Sequence, residues 1–188
     1  MSRVKAEALR GIMQHVATPV TLVTSSMEGR PFGMVAGSFA SVSLMPPLVS
    51  FNVRRVSKMH EVLTANTRFA VHLLREDQAD LARHFATPYT DGWEPFLGID
   101  YQMKEAHLPV LEETAAVLYC TQYATYDAGD HVIVVGEVTE IHAGPYHVPL
   151  LYYAGAYHGI GQAIRSPKRK GRLPVGIKHH YASRGLLP

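Results

Sequence analysis

Apolar residues recur at helical spacing at the start of the chain. Val4, Leu9, Ile12, Met13 and Val16 fall on one face, the mark of an amphipathic helix. Thr18-Pro19 ends it, because a residue before proline is pushed out of the helical region. From there the period falls to two. Val20 to Thr24 is a β-branched strand, and Met27-Glu28-Gly29-Arg30 supplies a turn. In Ser38 to Leu44, Ala40, Val42 and Leu44 point one way while Ser41 and Ser43 point the other. Pro46-Pro47 breaks that strand, and Leu48 to Val53 resumes with Val49, Phe51 and Val53 on one face.

A short helix is expected over 58–66, with Ser57 as its N-cap and Met59, Val62 and Leu63 facing inward. Phe69 to Leu74 reads as a strand, and Asp77 is placed to cap a helix ending near Phe85. Residues 87–113 hold Pro88, Gly92, Pro95, Gly98 and Pro109 and read as an irregular excursion. Two long strands follow, Ala115 to Tyr126 and His131 to Ile141, joined as a hairpin through Asp127-Ala128-Gly129-Asp130. Short strands at 149–153 and 156–158 close the body. Six or more strands with few helices and many tight turns imply a mainly β fold, an antiparallel closed or partly closed barrel. The helices do not alternate regularly with the strands, which argues against a doubly wound parallel sheet.

Composition narrows the class. The chain has 188 residues, 47% of them hydrophobic, enough for one domain with a real core. One cysteine, Cys120, builds neither a disulfide framework nor a zinc site, and in an alternating strand it reads as a small core residue. The net charge of +2 hides an asymmetry. The last acidic residue is Glu140, and residues 165–188 carry seven Lys/Arg. Residues 1–164 therefore hold eleven bases against sixteen acids, a net −5. This divides the chain into a body, 1–164, and a basic C-terminal extension, 165–188. No apolar run approaches the ~18 residues of a membrane span. The N-terminal segment has Arg3, Lys5, Glu7 and Arg10 in place of an apolar signal core. With the lone cysteine, this points to the cytoplasm. The extension holds one aromatic, Tyr181, so nucleic-acid binding is not expected.

Several chemistries fail on spacing. Gly159-Ile160-Gly161 begins a dinucleotide fingerprint that Ile164 breaks. There is no P-loop, no nucleophile elbow and no Cys/His pattern for a metal, and the adjacent His179 and His180 point apart. The informative stretch is Pro31 to Val53, where Gly33 and Gly37 stand beside Ser38, Ser41 and Ser43. Small residues let a flat ligand approach the backbone and hydrogen-bond with it. Just beyond, Arg54, Arg55, Ser57 and Lys58 cluster at a helix N-terminus, a pattern suited to phosphate. A planar polar ring with a phosphate tail fits both halves; a solvated edge strand followed by a capped surface helix is the plainer alternative.

The run G-M-V-A-G-S-F-A-S-V-S-L-M-P-P-L-V over 33–49 closely resembles the signature of the short-chain flavin reductases. The likeness extends to T-P-V-T-L-V-T at 18–24, R-F-A-V-H-L-L at 68–74 and D-L-A-R-H-F at 80–85. It continues through L-Y-C-T at 118–121, G-D-H at 129–131 and P-L-L-Y-Y-A-G-A-Y at 149–157. The resemblance implies an antiparallel split β-barrel of the FMN-binding type, working as a homodimer. Its activity would be hydride transfer from NADH or NADPH to FMN or FAD. The reduced flavin would diffuse to a partner flavin-dependent monooxygenase.

Residue by residue, the resemblance assigns Gly33, Met34, Val35, Ala36, Gly37 and Ser38 to the isoalloxazine ring. It assigns Asn52, Val53 and Arg54 to the ribityl chain and nearby phosphate, and Ser57, Lys58 and Met59 to the rest of the phosphate site. His84 and Phe85 would approach the flavin from a short helix, and His131 and Tyr157 would neighbour the nicotinamide. No nucleophile, indispensable general acid or metal is expected. The chain departs from the family in having Val35 where Thr is frequent, Gly37 where a small polar residue is frequent, and His72 where Asn is common. The alternatives are a flavin carrier or sensor without turnover, and a split-barrel oxidase acting on another substrate.

Overall fold

The computed structural model describes residues 4–87, 94–111, 113–144 and 148–161. In chain order the chain forms α1 (Ala6–Met13), β1 (Thr18–Pro19), β2 (Thr21–Met27), β3 (Arg30–Ala36), β4 (Ala40–Leu44) and β5 (Pro47–Arg54). Next come α2 (Lys58–Ala65), β6 (Arg68–Leu73), a 3₁₀ turn at Glu76–Gln78 and α3 (Ala79–Phe85). The remainder holds β7 (Gln102–Lys104), β8 (Leu108–Val110), β9 (Ala116–Ala128), β10 (His131–Ala143), β11 (Leu151–Tyr153) and β12 (Ala156–His158). The basic extension, with His179 and His180, lies outside the described residues.

Seven strands form one sheet in the order β3-β2-β6-β9-β10-β5-β4, every neighbouring pair antiparallel. Laid flat, its edges would stand about 29 Å apart at ~4.8 Å per strand. Yet only Gly37, Ser38 and Phe39 connect edge strand β3 to edge strand β4, and three residues reach at most about 14 Å. The sheet must therefore curl until its edges approach, and a barrel with one unzipped seam results.

Phe51, Phe69, Val71 and Val134 fill one cluster, which α2 closes with Met59, Val62 and Leu63. Leu22, Leu74, Leu150, Phe85 and Phe96 make a second. Strand β2 lies at the junction and is buried from Thr21 to Ser26. Its buried hydroxyls are satisfied: Thr21 donates to the Ala36 carbonyl at 2.8 Å, Thr24 to Pro109 at 2.6 Å and Ser25 to Arg68 at 2.7 Å.

Several local expectations need correction. The apolar face of α1 is not buried; Leu9, Ile12, Met13 and Val16 remain exposed. Asp77 does not cap a helix, because both its carboxylate oxygens accept from the Arg75 guanidinium at 2.9 Å. Gln78 holds that turn instead, accepting the Arg75 N–H at 2.9 Å. Residues 30–36, left without an element by sequence pattern, form β3, which interleaves with both clusters. The long hairpin turns on Gly129-Asp130 alone. Within 87–113 the excursion contains the β7/β8 pair. Ser57 caps α2 as expected, its Oγ accepting the His60 N–H at 3.3 Å.

Candidate functional site

A cleft of about 1000 Å³ opens between β3, β5, the start of α2, the end of α3 and the 94–101 segment. Strand β5 builds one wall by alternation: Val53 turns into the core, while Asn52 and Arg54 face out. Register with β10 sets His131 beside Arg54 and Ile133 beside Asn52. The β5–α2 turn is fastened by the Ser57 hydroxyl, which donates to the Arg54 carbonyl at 2.7 Å. Arg54 makes no ion pair among the described residues, whereas Lys58 Nζ contacts Glu61 Oε2 at 2.6 Å. Arg54, Ser57 and Lys58 thus line the cleft together at the N-terminus of α2. That donor set suits a phosphate.

Strand β3 supplies a second wall through Met34 and Val35. Gly33 and Gly37 each have protein packed where a side chain would stand. A Cβ on Gly33 would stand 2.8 Å from Phe85 Cε1, and one on Gly37 3.0 Å from Thr18 Oγ1. Ala36 is buried in the first cluster. Ser38 is exposed, and its Oγ accepts the Asn52 backbone N–H at 2.8 Å, which leaves its own O–H to donate.

The third wall is aromatic. Phe85 meets Phe96 edge to face at 5.0 Å, and Phe96 meets Tyr101 at 4.8 Å. His84 stands behind it, Nε2–H donating to the Pro95 carbonyl at 2.7 Å and clamping the 94–101 segment onto α3. Sequence pattern missed Phe96 and Tyr101, along with Arg30, Val56, Glu61 and Glu94, which also line the cleft. Aromatic residues inside a Pro/Gly-rich excursion were the available signal, since solvated loops rarely need them.

His131 lines the cleft, its Nδ1 2.8 Å from Asp130 Oδ1. The His131 hydrogen bond and charge hold the Asp130 carboxyl below its ordinary range. Tyr157 does not line the cleft; it packs on the second cluster, 5.3 Å from Tyr152, with the Arg83 guanidinium 5.9 Å over its ring. Burial, aided by Tyr152, raises its phenol.

The structure therefore brings Met34, Val35, Asn52, Arg54, Ser57, Lys58, Met59, Phe85 and His131 to one cavity. Gly33, Ala36, Gly37, Ser38, Val53, His84 and Tyr157 stand outside its lining. A second cleft of about 390 Å³, with Arg68, Lys104, Tyr119 and His142 on its walls, holds none of these residues. Among the described residues no His/Cys/Asp/Glu group is arranged for a metal, and no helix is long and apolar enough to cross a membrane.

Residues 13–161 match the family model described as the flavin reductase like domain. The HsaB reductase subunit of a flavin-dependent monooxygenase from Mycobacterium tuberculosis is 34% identical over 168 residues, 88% of each chain. The FMN reductase (NADH) SmoA of Agrobacterium fabrum is 36% identical over 152 residues, 81% of this chain and 84% of that one. Among solved structures, the NADH:FAD oxidoreductase of Streptomyces globisporus C-1027 superposes with a TM-score of 0.78 at 34% identity. That match covers 86% of this chain and 99% of the other.

Proposed function

The chain belongs to the flavin reductase-like family, and on that premise we propose that it transfers hydride from NADH or NADPH to FMN or FAD and supplies reduced flavin to a partner monooxygenase. The observation that carries this reading is the cleft of about 1000 Å³ with a cationic end and an aromatic wall.

The residues present fit a flavin. Arg54, Lys58 and Ser57 would hold its phosphate, Asn52 presents a polar side chain to the cleft while Ser38 fixes its backbone, and Met34, Val35 and Phe85 would exclude water from the ring. Bound there, the flavin supplies an electrophilic N5 that takes hydride from the nicotinamide C4. The protein contributes position and electrostatics, so no nucleophile is required. His131, turned by Asp130, is assigned to the nicotinamide. Tyr157, packed on the second cluster together with Phe85 and Phe96, would serve it only indirectly.

The catalytic unit is 1–164, acting as a homodimer in the cytoplasm. The exposed apolar face of α1, the exposed Val42 and Leu44 on edge strand β4, and Met45 just after it favour a second copy. Cys120 suits a reducing compartment, buried with its thiol pushed up to about 12.

Steady-state NADH oxidation tests the reading. Turnover should depend on added flavin and saturate with it. Flavin retained through extensive washing, with no turnover on adding NADH, would instead support a carrier or sensor.

A further inference from the structure

Arg55 stands between two residues that line the cleft, Arg54 and Val56, but does not line it itself. Its donors turn to the β9–β10 hairpin instead. The backbone N–H donates to the Asp130 carbonyl at 3.1 Å, Nε–H donates to the Gly129 carbonyl at 3.0 Å, and Nη2 meets Asp127 Oδ1 at 2.5 Å. We infer that Arg55 is a positioning residue, which fixes the Gly129–Asp130 turn so that Asp130 holds the His131 ring in one tautomer at the cleft. The consequence for turnover rests on the assignment of His131 to the nicotinamide.

Two conformations are open to the turn. Gly129 has a φ of +64°, and Asp130 is not among the residues with positive φ, the combination of a type II′ turn. Rotating the peptide between them gives type I′, in which Asp130 also takes a positive φ. Glycine and aspartate both tolerate that conformation, and both turns suit a two-residue hairpin. The local sequence therefore does not choose between them. Arg55 chooses, because its Nε–H holds the Gly129 carbonyl, whose direction the rotation reverses. The pair with Asp127 keeps the guanidinium in place, yet adds little to global stability, since the two side chains are 39% and 80% exposed. A guanidinium meets both acceptors at once, whereas the ammonium of lysine has no Nε–H for Gly129.

Asp130 carries the effect to the cleft. Its Oδ1 lies 2.8 Å from His131 Nδ1. A carboxylate only accepts, so Nδ1 bears the proton and the neutral ring presents Nε2 as an acceptor. If Asp130 moves to positive φ, its side chain turns with the backbone and the carboxylate leaves Nδ1. The His131 backbone stays in place through its pairing with Arg54 on β5. The change is then confined to the tautomer and orientation of the ring.

The test uses the full chain and Arg55→Lys, which keeps the charge and the apolar stem. Nitrogen NMR of the histidine rings in the free protein should place the His131 proton on Nδ1 in wild type and show a mixture of tautomers in Arg55→Lys. The NADH KM should rise about three- to fivefold, as for one lost hydrogen bond, while the flavin dissociation constant stays within about twofold of wild type. Asp127→Ala frees the same guanidinium from its other side, so it should raise the NADH KM in the same direction and add nothing to Arg55→Lys. An unchanged His131 tautomer in Arg55→Lys, or flavin and NADH weakened equally, overturns the proposal. A shifted tautomer with a wild-type NADH KM supports the positioning role and sinks the nicotinamide assignment of His131, because the NMR measurement needs no nicotinamide.

Discussion

The Ser38 hydroxyl accepts the backbone N–H of Asn52 at 2.8 Å, so the link leaving β3 is pinned to β5 at the seam of the barrel. One bond thus joins the two walls that would hold the flavin. Ser38→Ala should raise the flavin KM about three- to tenfold with a smaller change in kcat. Because the freed N–H lies at an exposed position, stability should fall by about 1 kcal/mol or less. Steady-state kinetics and a urea titration check both, and a wild-type KM would remove Ser38 from the site.

Lys58→Ala removes a cation from the proposed phosphate site and also releases Glu61. The flavin KM should rise about tenfold, and its dependence on salt should become shallower than in wild type. Measuring KM between low and moderate salt decides this, since a purely structural role would leave the slope unchanged.

His72 predicts an acid-labile fold. Its Nδ1–H donates to the Leu22 carbonyl at 3.1 Å, and its Nε2 accepts the Leu111 N–H at 3.1 Å. The ring is therefore neutral in one tautomer, and burial pushes its pKa down to about 4 from an ordinary 6.5. Between those values the unfolded chain binds a proton that the folded chain refuses, so stability falls as pH drops through 6.5 towards 4. The loss from pH 7 to pH 5 should be about 2 kcal/mol. Urea midpoints at the two pH values measure it. His72→Asn, which keeps a donor towards Leu22 and cannot titrate, should be less stable at pH 7 but show a flatter pH dependence.

Gly136 lies on β10 where the register with β9 shifts. A Cβ there would stand within van der Waals overlap of Phe69 Cζ. The Phe69 ring is fully buried, edge to face with Phe51 at 5.2 Å, and has little room to yield. Gly136→Ala should cost about 1–3 kcal/mol, read as a lower denaturation midpoint. Flavin KM should stay near wild type in the folded fraction, because the clash is in the core and not in the cleft.

The strands were legible wherever one face was wet. Residues 48–53 alternate plainly, and β5 runs over Pro47–Arg54. Ser57 followed by an apolar pattern marked α2 for the same local reason. Strand β3 escaped because Arg30–Ala36 packs its side chains into two different clusters, which erases a period of two. Asp77 looked like a cap, since nothing in the sequence shows that Arg75 occupies both its oxygens. That Asn52, Arg54, Ser57, Lys58 and Met59 come together was readable because they lie in one continuous stretch. The aromatic wall was not, because Phe85, Phe96 and Tyr101 meet only after the chain returns to α3.

Local order therefore settled the mainly β character, the capped helix and the cationic cluster at 54–58, since each depends on neighbours a few residues apart. Folding alone decided what those parts enclose. Three connecting residues force a seven-stranded sheet to curl, the closing seam sets Ser38 against Asn52, the β5–β10 register sets His131 beside Arg54, and the 94–101 aromatics complete the lining of the same cleft. It also gave the two glycines of the signature a steric reason to be small. Gly33 and Gly37 are small because Phe85 and Thr18 pack against them, a steric demand that no pattern along the chain expresses.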